Sequence, residues 1–284
     1  MTLRTLKQII PAIPASDGGG VRLFRSLGQS DALRLDPFLM LDEFSSTNPD
    51  DYIAGFPAHP HRGFETITYL LDGHLLHEDH LGNRGDLMSG GAQWMRAGRG
   101  VIHSEMPQQQ QGRLRGFQLW VNLPASKKMQ PAAYRDFQPE ELRFYPLSSG
   151  GQAKVLSGSI TIGDEPLLGV MHELATQPLV MDVHLPAGSC LVAPLATALN
   201  ACVYVYEGCL DINAGDKQQT LNSQTVGVLG SGDQIELQAS SDAAFLLLAA
   251  SPLGEPVVQY GPFVMNTRAE VEQALADYRN GCLV

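Results

Sequence analysis

The sequence predicts an all-β protein made of two β-barrels in tandem, closed by one short C-terminal α-helix. Three observations carry this. Short apolar segments of about four to seven residues recur along the chain, bounded by Gly, Asp, Asn or Pro, the punctuation of strands and turns. The 284 residues include 29 Gly and 18 Pro, a load that suits a turn-rich β architecture better than a helical bundle. An apolar strand ending in acid-Gly occurs twice about half a chain apart, as Tyr69-Leu70-Leu71-Asp72-Gly73 and as Tyr204-Val205-Tyr206-Glu207-Gly208. With a length that favours two domains over one, the echo points to a duplicated barrel.

Along the chain, residues 1–16 make a poor secretory signal, because Lys7 and Gln8 break the apolar run and Pro11 and Pro14 follow. Strands are expected at 21–24, 66–71, 85–88 and 117–121, with a hairpin at Asp72-Gly73 and a turn at 81–86. The glutamine run 108–111 reads as an exposed loop. Residues 124–141, with Pro124, Pro131 and Pro139, read as a linker, so the domains are expected at 1–130 and 131–284. Strands resume at 179–185, 201–206, 225–229 and 243–249. Thr267-Arg268-Ala269-Glu270 is a capping box. Val271, Leu275 and Tyr278 follow at helical spacing and Gly281 can end the segment, giving a helix over about 267–280.

The net charge of −11 repels phosphate backbones and argues against direct nucleic-acid binding. No segment reaches the ~20 apolar residues of a membrane span. Cys190, Cys202, Cys209 and Cys282 match neither a zinc knuckle nor a CxxC motif; they are expected as reduced, mostly buried thiols, consistent with a cytoplasmic protein.

The chemistry-bearing patterns are His59-Pro60-His61 and His103-Ser104-Glu105. Alternate residues of a strand point to one face, roughly 6.6 Å apart, so each pattern can aim two donors at one ion. Three imidazoles and a carboxylate from neighbouring strands suit a divalent first-row metal better than Mg or Ca. His74, His77 and His80 recur by threes, which splits them across strand faces, and are expected as a polar hairpin surface. His172 and His184 are expected to be structural. No histidine follows His184, and at the offset of the echo His59 and His61 fall on Pro194 and Ala196. One metal site, in the first half, is the expectation. Gly90, Gly91, Gly98 and Gly100 are expected to shape the mouth of that barrel.

Longer motifs resemble the pirin family of the cupin superfamily over nearly the whole chain. They are Asp36-Pro37-Phe38-Leu39-Met40-Leu41-Asp42-Glu43-Phe44, His59-Pro60-His61-Arg62-Gly63-Phe64-Glu65-Thr66, Gly91-Ala92-Gln93-Trp94-Met95-Arg96-Ala97-Gly98-Arg99-Gly100, His103-Ser104-Glu105-Met106-Pro107, Phe117-Gln118-Leu119-Trp120-Val121-Asn122-Leu123 and Gly261-Pro262-Phe263-Val264-Met265-Asn266-Thr267. The resemblance implies two cupin jelly-roll barrels packed face to face, with metal in the N-terminal one only. It places the ligands on His59, His61, His103 and Glu105, with Fe(II) the usual ion and Mn, Co, Ni or Cu acceptable to the same donors. It implies quercetin 2,3-dioxygenase chemistry on a flavonol-like aromatic with O2, Glu105 also serving as the base. Its alternative is a protein-binding regulator of a transcription factor or metabolic enzyme; a metal-dependent isomerase or lyase is a third, weaker option, because fold does not fix function. A monomer is expected. Glu65 is a candidate to support the ligands from behind. Phe38, Met40, Phe64, Met88 and Trp94 are expected mainly as barrel core, with a share in an apolar pocket wall.

Overall fold

A computed structural model describes residues 1–214 and 217–284. The chain is all-β apart from short 3-10 turns and, among the described residues, one α-helix, Arg268–Arg279. It divides into two compact units that are interleaved along the sequence.

The first unit comprises 14–28, 37–141 and 253–284. Its larger sheet has seven strands in the order Ala133–Phe137, Ala92–Arg96, Phe64–Asp72, Leu114–Asn122, Phe38–Ser46, Val21–Arg25, Ile13–Asp17. Its smaller sheet runs Phe56–His61, Val101–Pro107, His74–Asp79, Arg84–Met88. All these pairings are antiparallel where they carry the site, so directly opposed residues share a face. Gln118 lies opposite Thr68 and Trp120 opposite Thr66. The linker expected at 124–141 instead supplies the edge strand Ala133–Phe137, paired with Ala92–Arg96; the alternation of Tyr134 and Asp136 with Ala133, Arg135 and Phe137 is a strand pattern that the surrounding prolines disguise.

The second unit comprises 1–13, 29–36 and 142–252. It repeats the plan: Leu6–Pro11, Thr225–Leu229, Asn200–Glu207, Ala243–Ala250, Leu179–Leu185, Gln152–Ser157, Tyr145–Pro146 in one sheet, and Cys190–Pro194, Gln234–Ala239, Cys209–Ala214, Lys217–Asn222 in the other. The acid-Gly echo is real topology. Phe64–Asp72 and Asn200–Glu207 both lie third in their seven-stranded sheets, and Gly73 (φ +116°) and Gly208 (φ +67°) both turn the chain into the smaller sheet.

The termini cross over between the units. Leu6–Pro11 pairs with Thr225–Leu229, and the C-terminal helix belongs with the first unit, where a contiguous reading put each with its sequence neighbours. Thr267 caps the helix and forms the full capping box with Glu270. Val271 and Ala274 are its buried residues; Leu275 packs partly against Phe263, Ala274 and Leu283, and Tyr278 is exposed. Cys202 is buried, Cys190 and Cys209 are half-buried and Cys282 is exposed, all as free thiols, so the thiols are less buried than expected. Among the described residues, no helix is long and apolar enough to cross a membrane.

The tail is tied to the first barrel by a buried cation. Lys128, 1% exposed, donates from Nζ to Gly63 O at 2.6 Å, Asn122 Oδ1 at 2.6 Å and Val264 O at 2.9 Å. Gly63 has φ +95°, and a Cβ there would lie 1.9 Å from Val264 O, so only glycine lets the tail approach this closely. Arg62 adds a bond to Arg99 O and an ion pair to Asp277 Oδ2 on the helix at 2.7 Å. Burial pushes the Lys128 ammonium down from 10.5 to about 8, against the pull of Glu255 and Glu270. Lys128→Met leaves three acceptors without their donor and is expected to cost roughly 2–4 kcal/mol in urea unfolding. The unfolded chain binds this proton more tightly, so wild-type stability relative to the variant should rise between pH 8 and 10.5; a flat difference across that window would refute the assignment.

Candidate metal centre

The smaller sheet of the first unit positions the donors. Val101–Pro107 runs between Phe56–His61 and His74–Asp79. His103 lies opposite His59, and Val101 opposite His61, so the i, i+2 pair and the third imidazole share one face. Between His103 and Glu105 the register against Phe56–His61 shifts, Glu105 falling opposite Phe56. The extra residue lies at Pro57-Ala58, a bulge that turns the strand. Pro57 O then stands 2.8 Å from His59 Nδ1, which puts the His59 proton on Nδ1 and leaves Nε2 as the donor.

The three imidazoles converge. One ring nitrogen from each of His59, His61 and His103 lies within 4.8 Å of the others, and the ring centroids are 4.4–5.0 Å apart. Three nitrogens bound to one ion at about 2.1 Å lie roughly 3.0–3.6 Å from one another, so closure on an ion draws each ring inward by at most roughly 1 Å. His61 and His103 are buried; His61 Nδ1 and His103 Nε2 have no hydrogen-bond partner. Burial pushes both imidazoles well below the ordinary 6.5, and the neighbouring histidines push the same way. Buried, neutral rings with unfilled nitrogens fit a divalent ion.

Glu105 stands beside this trio rather than within it. It is buried, its Oε1 3.0 Å from Thr68 Oγ1 and its Oε2 3.5 Å from Gln118 Nε2. Thr68 Oγ1 is also 2.6 Å from Gln118 Oε1, and its single proton serves one oxygen at a time. Glu65, the candidate to support the ligands from behind, is buried four residues past His61. The chain turns at Gly63, and alternation along Phe64–Asp72 directs Glu65 to the face opposite Phe64 and Thr68.

A cavity of about 550 Å³ opens onto His59, His61 and Glu105. Met40, Phe44, Phe56 and Trp120 line it. Trp120 stacks on Phe64 at 4.1 Å and meets the His61 ring edge-on at 5.2 Å. Of the aromatics and methionines expected as wall, only Met40 lines the cavity; Phe38 and Trp94 are buried elsewhere and Met88 is exposed. Trp120 was missed, although its alternation with Gln118 marks it as inward. On the polar wall Arg25 bridges Asp42 (Nε–Oδ1 2.9 Å, Nη2–Oδ2 2.7 Å) and Asp17 (3.1 Å), which raises the Arg25 guanidinium further.

The outlying histidines divide. His74 is half-buried and bonds Asp86, and His80 and His172 are exposed. His184 meets Tyr206 Oη at 2.9 Å. His77 is not hairpin surface at all: it is buried against His103. Counting by twos instead of threes would have shown it, because His77-Glu78-Asp79 repeats the spacing of the two ligand motifs.

The comparisons agree with this geometry. The family profile "Pirin" matches residues 20–121 and "Pirin C-terminal cupin domain" matches 180–284. A Pseudomonas aeruginosa relative that bears a provisional quercetin 2,3-dioxygenase name is 50% identical over 95% of this chain and 94% of its own. Human pirin is 40% identical over 93% of this chain and 89% of its own. The crystal structure of an Acinetobacter baumannii quercetin 2,3-dioxygenase superposes with a TM-score of 0.89 at 32% identity, covering 99% of this chain and 98% of that one. Replacing a converging ring should abolish binding at the centre. His103→Ala is expected to weaken Zn(II) uptake by the apo-protein more than about 100-fold, since losing an outer support alone costs 10–100-fold; titration calorimetry giving wild-type affinity would place the ion elsewhere.

Proposed function

The chain belongs to the pirin family, whose profiles and relatives span it, and from that premise we propose that it is a metal-dependent dioxygenase of the quercetin 2,3-dioxygenase type. The reaction would open the central ring of a flavonol with O2 and release carbon monoxide. One observation carries the reading: three imidazoles converge, and a cavity with apolar flanks opens onto two of them, His59 and His61, and onto the buried carboxylate of Glu105. Similarity to the Pseudomonas and Acinetobacter proteins supports the reaction class.

His59, His61 and His103 would hold the ion, with Glu105 as the fourth ligand after release from Gln118. The ion, Fe(II) by the family resemblance, would supply Lewis acidity at the flavonol 3-hydroxyl and an open position for O2. Trp120 and Met40 would flank a flat ring, and Phe44 and Phe56 would exclude water behind it. Glu105 would take the 3-hydroxyl proton at Oε2, the oxygen with the weaker bond to Gln118. Thr68 would hold Oε1 meanwhile and keep the carboxylate aimed at the cavity.

Protein purified without added metal should contain about one first-row ion per chain by elemental analysis. It should bleach quercetin with uptake of O2 and release of CO. Glu105→Gln should lower kcat by about 10²–10⁴-fold, the usual worth of a general base. A metal-loaded wild type that turns over no member of a flavonol panel would sink the proposal.

A further inference from the structure

We propose that His77 is a positioning residue that fixes the tautomer of His103 through an Asp79–His77–His103 chain; the inference rests on the metal-centre reading above. Antiparallel pairing places His77 opposite Glu105 and Asp79 opposite His103, so all four side chains share the inward face. His77 is 1% exposed. Its Nδ1 lies 3.5 Å from His103 Nδ1, and its Nε2, which makes no hydrogen bond, faces Asp79 Oδ2 at 3.7 Å.

Two imidazoles that meet through Nδ1 can hold only one proton between those atoms, and its location is decided at the far end. Were His77 the donor, His103 would carry its own proton on Nε2, the buried nitrogen without a partner, and could not ligate through it. Ligation there requires His103 to donate from Nδ1 and His77 to accept at Nδ1. The His77 proton then sits on Nε2, facing the Asp79 carboxylate. A ligand's outward N–H held by a carboxylate fixes ring orientation and raises donor strength; here a second imidazole stands between the two.

Both ends of the chain are anchored. Asp79 Oδ1 accepts from Leu81 N at 2.9 Å and Asn83 N at 3.0 Å, and Oδ2 accepts from Asn83 Nδ2 at 2.8 Å. The His77 ring stacks on Tyr134 at 4.2 Å and 22°. Tyr134 Oη bonds Asp136 and receives Gln93 Nε2 at 2.8 Å. That stack holds the His77 plane, so its Nδ1 lone pair cannot swing away from His103. The edge strand Ala133–Phe137 thereby acts on the centre without touching it.

The test uses apo-protein and Zn(II), a diamagnetic probe, so no turnover is needed. His77→Phe keeps the stack on Tyr134 and removes the acceptor. It should weaken Zn(II) binding 10–100-fold in a chelator competition, and nitrogen-15 spectra should lose the hydrogen-bonded Nδ1–H signal of His103. His77→Gln, whose Oε1 can accept the same bond, should recover most of the affinity. His74→Ala, on the same strand and bonded to Asp86, should bind as wild type. Asp79→Asn should weaken binding by a smaller factor and decides alone if circular dichroism shows His77→Phe misfolded. Wild-type Zn(II) affinity in the properly folded His77→Phe or, failing that, in Asp79→Asn, with His59→Ala unable to bind, overturns this inference alone. Zn(II) binding unaffected by His59→Ala overturns the metal centre and this inference with it.

Discussion

The register of one strand, Val101–Pro107, is the constraint on which the site depends. Its two neighbours present side chains to it in directly opposed pairs: His103 meets His59 on one side and Asp79 on the other, and Glu105 meets His77. A slip of one residue would carry every one of these groups to the opposite face. The register is held where local chemistry permits no alternative, at the Pro57-Ala58 bulge before the ligand pair and at the Gly63 turn after it. The ligands are thus placed by backbone hydrogen bonding, and only the final closure of the rings is left to the ion.

Such a face is costly to bury. Imidazoles, carboxylates and amides replace the aliphatic residues that would fill a barrel, and burial without partners costs about 1–3 kcal/mol per group. In the first unit two apolar clusters flank the cavity, one through Leu23, Phe44 and Phe56 and the other through Met40 and Trp120. Stability is recovered outside the barrel interior. The C-terminal segment closes over the end of the ligand strand through Val264 and Lys128, while Arg62, next in sequence to His61, reaches the helix at Asp277. The helix thereby holds the residue adjacent to a donor.

What could be read in the sequence followed from periodicity and end signals. The strands at 66–71 and 243–249 and the capped helix show in order of residues alone, because alternation and the capping box are local. The HxH and HxE spacings located the three converging rings for the same reason. What could not be read depended on pairing between distant segments. Leu6–Pro11 joins the second unit only because Thr225–Leu229 offers it an edge. His77 looked like hairpin surface because its partner, His103, lies across a ladder. Trp120 became cavity wall through its neighbours Phe64 and His61.

The second unit carries the same plan with different side chains at the corresponding positions. Its smaller sheet has the same strand order, and the ladders can be laid one on the other pair by pair. Leu237 meets Leu191 and Ile212, as His103 meets His59 and Asp79; Ala239 meets Leu210, as Glu105 meets His77; Ala193 meets Ile235, as His61 meets Val101. The counterparts of His59 and His61 are therefore Leu191 and Ala193, not the Pro194 and Ala196 that a fixed sequence offset selects. All six polar positions become aliphatic or alanine, and all six lie in one continuous buried cluster. The replacement includes the positions of His77 and Asp79 along with those of the ligands. Four strands can close over aliphatic side chains with no help from an ion. In the first unit the polar set is present as a whole, and its two inner members, His77 and Asp79, stand directly opposite Glu105 and His103.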